Sequence, residues 1–164
     1  MKWLLLVVAF VVSVVLGYLF SLKYKRRADF FKALIVLSQK LDVGINFSRE
    51  RLHSIISSLD ETVKKSLVGL PDNYISYLDG TGELNQEALF KNINILKDNE
   101  KEVVFMFFKM LGRSDVDSQS KEIKNFQSRF EEMSAQAGDE NKKYGRLSIK
   151  MGVIIGLIAV VILW

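Results

Sequence analysis

Uncharged apolar runs close both ends of the chain, and no other feature limits its fold as strongly. Trp3 to Phe20 reads WLLLVVAFVVSVVLGYLF without a single charge. As a helix rising about 1.5 Å per residue it is about 27 Å long, close to the ~30 Å hydrocarbon core of a bilayer. Met151 to Trp164 reads MGVIIGLIAVVILW. That is about 21 Å by the same rise, and about 27 Å when extended back to Leu147, with Lys150 inside. A lysine one turn from a helix end snorkels its ammonium to the interface. Both runs are read as transmembrane helices. A buried terminal helix of a soluble core is the rival for the second, but the run leaves no polar face. A cleaved signal peptide is the rival for the first, but SLKYKRR follows Phe20 and offers no small-x-small cleavage site.

Flanking charge orients the pair. Lys23, Lys25, Arg26 and Arg27 follow the first run, against Lys2 before it; Lys142, Lys143, Arg146 and Lys150 precede or enter the second, and nothing basic follows. The positive-inside rule places the middle segment in the cytosol and both termini outside. The expected organisation is a membrane hairpin: residues 1–22 and 147–164 span, and residues 23–146 form a cytosolic helical domain. Membrane lipid is therefore an expected partner. Asn46-Phe47-Ser48 matches a glycosylation sequon, but a cytosolic segment never meets the glycosylating enzyme.

Small residues recur every fourth position in both runs. Ala9, Ser13 and Gly17 form one ladder; Ser148, Gly152 and Gly156 form the other, with GxxxG inside it. Such stripes let helix backbones approach closely, which predicts helix pairing within the chain or between copies in a homo-oligomer.

The middle segment reads as helices, giving an all-α fold: a helical bundle between two transmembrane helices, with a long C-terminal helix running into the membrane. Phe30, Leu34, Leu37, Leu41 and Ile45 form one stripe at 3/4 spacing. Gly44 and Asn46 weaken its end, and Ser48 is placed to cap a helix carrying Leu52, Ile55, Ile56 and Leu59. Short helices are expected around Val63–Leu67 and Asp72–Leu78, and a loop at Asp79-Gly80-Thr81-Gly82. A helix is expected over Leu84–Leu96, and another from Asp98 or Asn99 through Leu111, ended by Gly112. Ser114 and Asp117 have capping-box spacing. Val116, Ile123, Phe126, Phe130, Met133 and Ala137 then hold a 3/4 seam, with Gln119 at its one polar position. Tyr144 and Leu147 continue it toward the membrane with no proline between, although Gly138 is placed to bend the helix.

Composition narrows the function. The chain has 164 residues, 49% hydrophobic and 26% charged, with one Pro and no Cys. That excludes a disordered chain, a disulfide framework and thiolate chemistry. A net charge of +4 is too small to argue for nucleic acid. No GxxxxGK[ST] or GxGxxG is present. His53 is the one histidine and reads as a surface residue; Glu131-Glu132 and Asp139-Glu140 read as solvated helix faces. These residues call for no cofactor and no metal, and they do not suit an enzyme. They suit a membrane-anchored helical body that works by contact.

Leu111-Gly112-Arg113-Ser114-Asp115, with Gln119 four residues on, resembles the LGxSDxxxQ signature of the stage III sporulation protein AB family. Tyr144, Gly152, Val153 and Gly156 are similar to that family's closing membrane helix, except that Met151 stands where a leucine is expected. The resemblance implies a non-enzymatic component of the stage III sporulation A complex, a secretion-like channel joining mother cell and forespore in endospore-forming bacteria. It implies residence in the mother-cell membrane around the forespore and a body similar to type II secretion inner-membrane platform proteins. Its expected partners are a cytosolic ATPase (stage III sporulation protein AA) and the other stage III sporulation A membrane proteins. Within the matched residues, Gly112 is expected to end one helix and Ser114 to cap the next. Asp115 and Asp117 would then sit in the first turn, where carboxylates favour the positive helix end. Gln119 is expected to hydrogen-bond across helices. A membrane-anchored signalling or adaptor protein is the alternative of a different class.

Overall fold

A computed structural model describes residues 2–48, 51–111 and 116–163. The described residues are helical nearly throughout, with no strand among them. The elements are α1 (Lys2–Val43), a π-helical turn (Gly44–Ser48), α2 (Leu52–Ser57), α3 (Glu61–Ser66), α4 (Leu70–Leu78), α5 (Gln86–Leu89), α6 (Asp98–Met110), α7 (Val116–Glu140), a second π-helical turn (Asn141–Gly145) and α8 (Arg146–Leu163). They form two compact units: Met1–Ala28 with Ala135–Trp164, and Asp29–Ser134.

In the first unit the apolar runs are open to their surroundings. In the most apolar window of each helical run, only 6% and 17% of the residues are buried. A core helix of a soluble protein would be mostly covered, so the buried-helix reading of the C-terminal run does not fit. Both helices are long and apolar enough to cross a membrane. Helical structure runs on from Val116 to Leu163, interrupted only by the π-helical turn. The irregularity is at Asn141–Gly145 and not at Gly138, which lies inside α7 with open space where a Cβ would stand.

The second unit has the core. The α1 stripe is fully used: Phe30, Phe31, Leu34, Leu37 and Leu41 are inaccessible to solvent. Each such side chain contributes roughly 1.5–3 kcal/mol relative to an exposed one. Phe107 on α6 is the hub of an aromatic cluster. Its ring centroid lies 5.3 Å from Phe108, 5.6 Å from Phe126 and 5.1 Å from Phe130, all edge-on, the arrangement that ring quadrupoles favour. Tyr74 from α4 joins at 4.7 Å from Phe108 and donates its hydroxyl to the Phe108 carbonyl (3.2 Å).

Local chemistry explains most boundaries. Gly69 precedes α4 with a left-handed φ of 81°, and Pro71 sits in the first turn, where its missing N–H costs nothing. Gly80 turns the Asp79–Gly82 loop with φ 72°, and Thr81 closes it by donating Oγ1 to Ser76 O at 2.8 Å. α6 begins one residue before Asp98 or Asn99 would cap it: Lys97 is the N-cap, and its N–H is taken by Glu100 Oε2 at 2.8 Å. Ser48, expected to cap α2, belongs to the π-helical turn instead, and Arg51 holds the N-cap position without a side-chain bond.

The expected Leu84–Leu96 helix is replaced by the four-residue α5 and irregular chain. Asn85 starts α5 by accepting from Ala88 N at 2.7 Å. The helix then stops because Asn73 Nδ2 takes the Leu89 carbonyl at 2.9 Å, while Ile93 N–H bonds Phe90 O in a tight turn. Leu89, Ile93 and Leu96 are nonetheless buried, as are Phe90 and Ile95, which are out of phase with them. The apolar phase is therefore met without a helix.

Candidate functional site

The two small-residue ladders meet each other within the chain. Ser13 donates its hydroxyl to Gly152 O at 2.8 Å. A Cβ on Gly17 would stand 2.7 Å from Ser148 O and 3.0 Å from Gly152 Cα; one on Gly152 would stand 2.9 Å from Ser13 O. These neighbours are backbone, so nothing larger than glycine fits without moving a helix. The Phe10 ring covers Gly156. Ala9, expected in the same ladder, is partly exposed.

The contacts also fix direction. Phe10 faces Gly156, Ser13 faces Gly152, Tyr24 stacks on Tyr144 at 5.9 Å, and Arg27 pairs with Glu140. Numbers rise along one helix as they fall along the other, so the pair is antiparallel. Both basic flanks therefore lie at one end. They are not equivalent: Arg27 is buried and engaged by Glu140, whereas Lys23, Lys25, Arg26, Lys142, Lys143 and Arg146 are exposed. Sequence reading counted Arg27 only as a flanking charge. Its acid partner is far away in the chain and becomes visible only once the helices pair.

Of the signature residues, Leu111 and Gln119 are described, and both are buried. Gly112, Ser114 and Asp115 lie outside the described residues, as do the expected helix end and cap. Gln119 is 5% exposed, and its Nε2 has no hydrogen-bond partner among the described residues. The long-range bonds at this level are made by its neighbour. Ser120 Oγ donates to Asp42 Oδ1 at 2.6 Å, and Asn46 Nδ2 donates to both Asp42 Oδ1 (2.7 Å) and Ser120 Oγ (2.8 Å). Lys124 Nζ stands 3.9 Å from the second Asp42 oxygen. This polar network was missed in the sequence. Its one local signal is the four-residue spacing of Asp42 and Asn46; the sequon reading of Asn46 pointed elsewhere.

Among the described residues one further cluster, Ser57 with His53 and Asp79, brings together residue types found in enzyme centres. Ser57 Oγ lies 3.4 Å from His53 Nδ1, and His53 Nε2 lies 3.6 Å from Asp79. The order Ser–His–Asp is that of a catalytic triad, but the His and Asp side chains are half exposed and the Ser57 hydroxyl donates to the His53 carbonyl at 2.7 Å. A hydroxyl held by a backbone carbonyl, with its base half exposed to water, is not an activated nucleophile. Among the described residues no group of three or more acids and histidines is placed to hold a metal ion.

The family model for stage III sporulation protein AB matches residues 2–164. No curated protein and no solved structure matches the chain. The match takes in the two apolar helices, the helical unit between them and the LGxSD…Q segment: the chain belongs to the stage III sporulation protein AB family.

Proposed function

We infer that this sporulation protein is a non-enzymatic membrane platform. It would sit in the mother-cell membrane around the forespore as part of the stage III sporulation A secretion-like complex and couple a cytosolic ATPase, stage III sporulation protein AA, to the complex's other membrane proteins. Family membership gives the sporulation role, and the family is not a known enzyme family. The observation that carries the topology is the antiparallel helix pair with exposed cations of both helices at one end. Under the positive-inside rule it supports a basic end facing the cytosol, with the segment between the helices in reach of an ATPase and both termini outside.

The test is crosslinking of tagged protein in sporulating cells, mild-detergent purification, and identification of what is bound. The expected result is recovery of a P-loop ATPase with other sporulation membrane proteins. Recovery of signalling proteins without an ATPase would overturn the platform reading in favour of an adaptor. Topology is read separately from one introduced cysteine, since the native chain has none. Ser120 is buried in the Asp42 network, so Ser128→Cys, at an exposed position on α7, is the better probe. It should resist impermeant labelling from outside intact cells.

A further inference from the structure

On one side the antiparallel pair leaves a groove of about 380 Å³, lined by Leu16, Phe20 and Tyr24 on α1 and by Tyr144, Met151 and Ile155 opposite. Its two serine hydroxyls already donate within the pair: Ser13 bonds Gly152 O and Ser148 bonds Tyr144 O. The rest of the lining is apolar along Leu16, Phe20, Met151 and Ile155, with the Tyr24 and Tyr144 phenols toward one end. In hydrocarbon an empty groove forfeits dispersion contacts, so something apolar fills it. From Ser13 to Tyr24 the groove rises about 16 Å, near half of the ~30 Å core, which is the depth of one leaflet.

The leaflet is identified by the groove's mouth. There the Tyr24 and Tyr144 rings stack, in the manner of interfacial aromatic belts. Lys143 Nζ lies 5.2 Å from the Tyr144 ring centroid, and Lys23 is the residue next to Tyr24. Both lysines are exposed. The nearby acids are taken, Glu140 by Arg27 and Asp139 by Lys142. A second transmembrane helix fits less well. It would run the full bilayer depth and would seek a small-residue face, whereas Gly17 and Gly152 are spent on each other and the groove walls are large side chains.

We propose that this groove binds one acyl chain of an anionic phospholipid from the leaflet on the basic side, with the lipid phosphate held by Lys23 and Lys143. The proposal rests on the reading that α1 and α8 span the membrane. Opposite charge at the headgroup level supplies the selectivity, and the groove supplies the fit.

The experiment is native mass spectrometry of the full chain in mild detergent, with dioleoylphosphatidylglycerol and dioleoylphosphatidylcholine added in equal amounts. One phosphatidylglycerol per chain should be retained, favoured by about tenfold. The double variant Lys23→Gln/Lys143→Gln should bring that ratio near unity, while Lys91→Gln, in the other compact unit, keeps it. Met151→Trp, which fills the groove, should lose both lipids while keeping its helical circular dichroism. Equal retention of the two lipids by the native chain, or an unchanged ratio in the double variant, overturns the headgroup assignment. Lipid still bound by Met151→Trp, or a lipid-free dimer, overturns the groove assignment, the latter in favour of a second copy. Maleimide labelling of Ile158→Cys in membranes tests the spanning reading apart from lipid. Labelling from water withdraws that reading and the proposal together; protection with no lipid retained removes the proposal alone.

Discussion

Tyr74 shows how much one buried hydroxyl decides. Burial pushes its phenol well above the ordinary tyrosine range, and the neighbouring Tyr77 adds to the shift. Below about pH 10 folded and unfolded chains both hold the proton. Above it the unfolded chain releases the proton while the folded one keeps it, so stability falls as pH rises from about 10 upward. Tyr74→Phe should flatten that alkaline decline in melting curves of the full chain, at the cost of about 1 kcal/mol at neutral pH for the lost bond to Phe108. An alkaline slope unchanged in Tyr74→Phe would assign the decline to another group. Gln119 and Asn46 show the limit of local reading. Their residue types predicted a cross-helix bond at Gln119 and a weak helix end at Asn46. α1 does end at Val43, just before Asn46, and the described long-range bonds join Ser120 to Asn46 and to Asp42, because side chains bond whatever the packed helices bring within reach, here 74 and 78 residues away.

Among elements, the antiparallel pair of apolar helices is the most sharply specified. Gly17 and Gly152 present backbone to backbone, and a rigid helix has no rotamer with which to yield. Gly152→Leu should therefore cost about 1–3 kcal/mol by overpacking, and more than Gly156→Ala, which meets the Phe10 ring. Thermal unfolding of both variants in the same detergent checks this; equal losses would mean that the glycines do not set the helix approach. α5 is the contrary case. Its apolar phase through Leu89, Ile93 and Leu96 suits a helix, yet Asn85 and Asn73 hold the backbone in short turns. Burial requires only that apolar side chains reach the core, and a helix is one of several backbones that do so.

For the whole molecule, the body depends on one aromatic cluster drawn from α4, α6 and α7. Phe107 is fully buried and touches three other rings. Phe107→Ala should cost about 3–5 kcal/mol, a large share of the roughly 5–15 kcal/mol that holds a typical domain folded. The expected outcome is a much earlier melting transition by circular dichroism in detergent. A shift as small as that of a surface variant would show that the cluster is not the centre of the core.

Much of this protein follows from the order of its residues alone. Two uncharged runs of membrane length, their basic flanks and their four-residue ladders dictate a helical hairpin, since hydrocarbon leaves the backbone no partners but its own. The 3/4 stripes of α1, α6 and α7 dictate an all-α body, since periodicity depends only on local geometry. The family resemblance read from LGxSD…Q and the glycine tail is met by a family match over residues 2–164. Three matters were decided by tertiary structure: that the two ladders pair with each other, that Arg27 is spent on Glu140 while its neighbours stay exposed, and that Asp42, Asn46 and Ser120 share one network. Each joins residues far apart in the chain. Sequence spacing says which face of a helix a side chain occupies, but only packing says what that face meets.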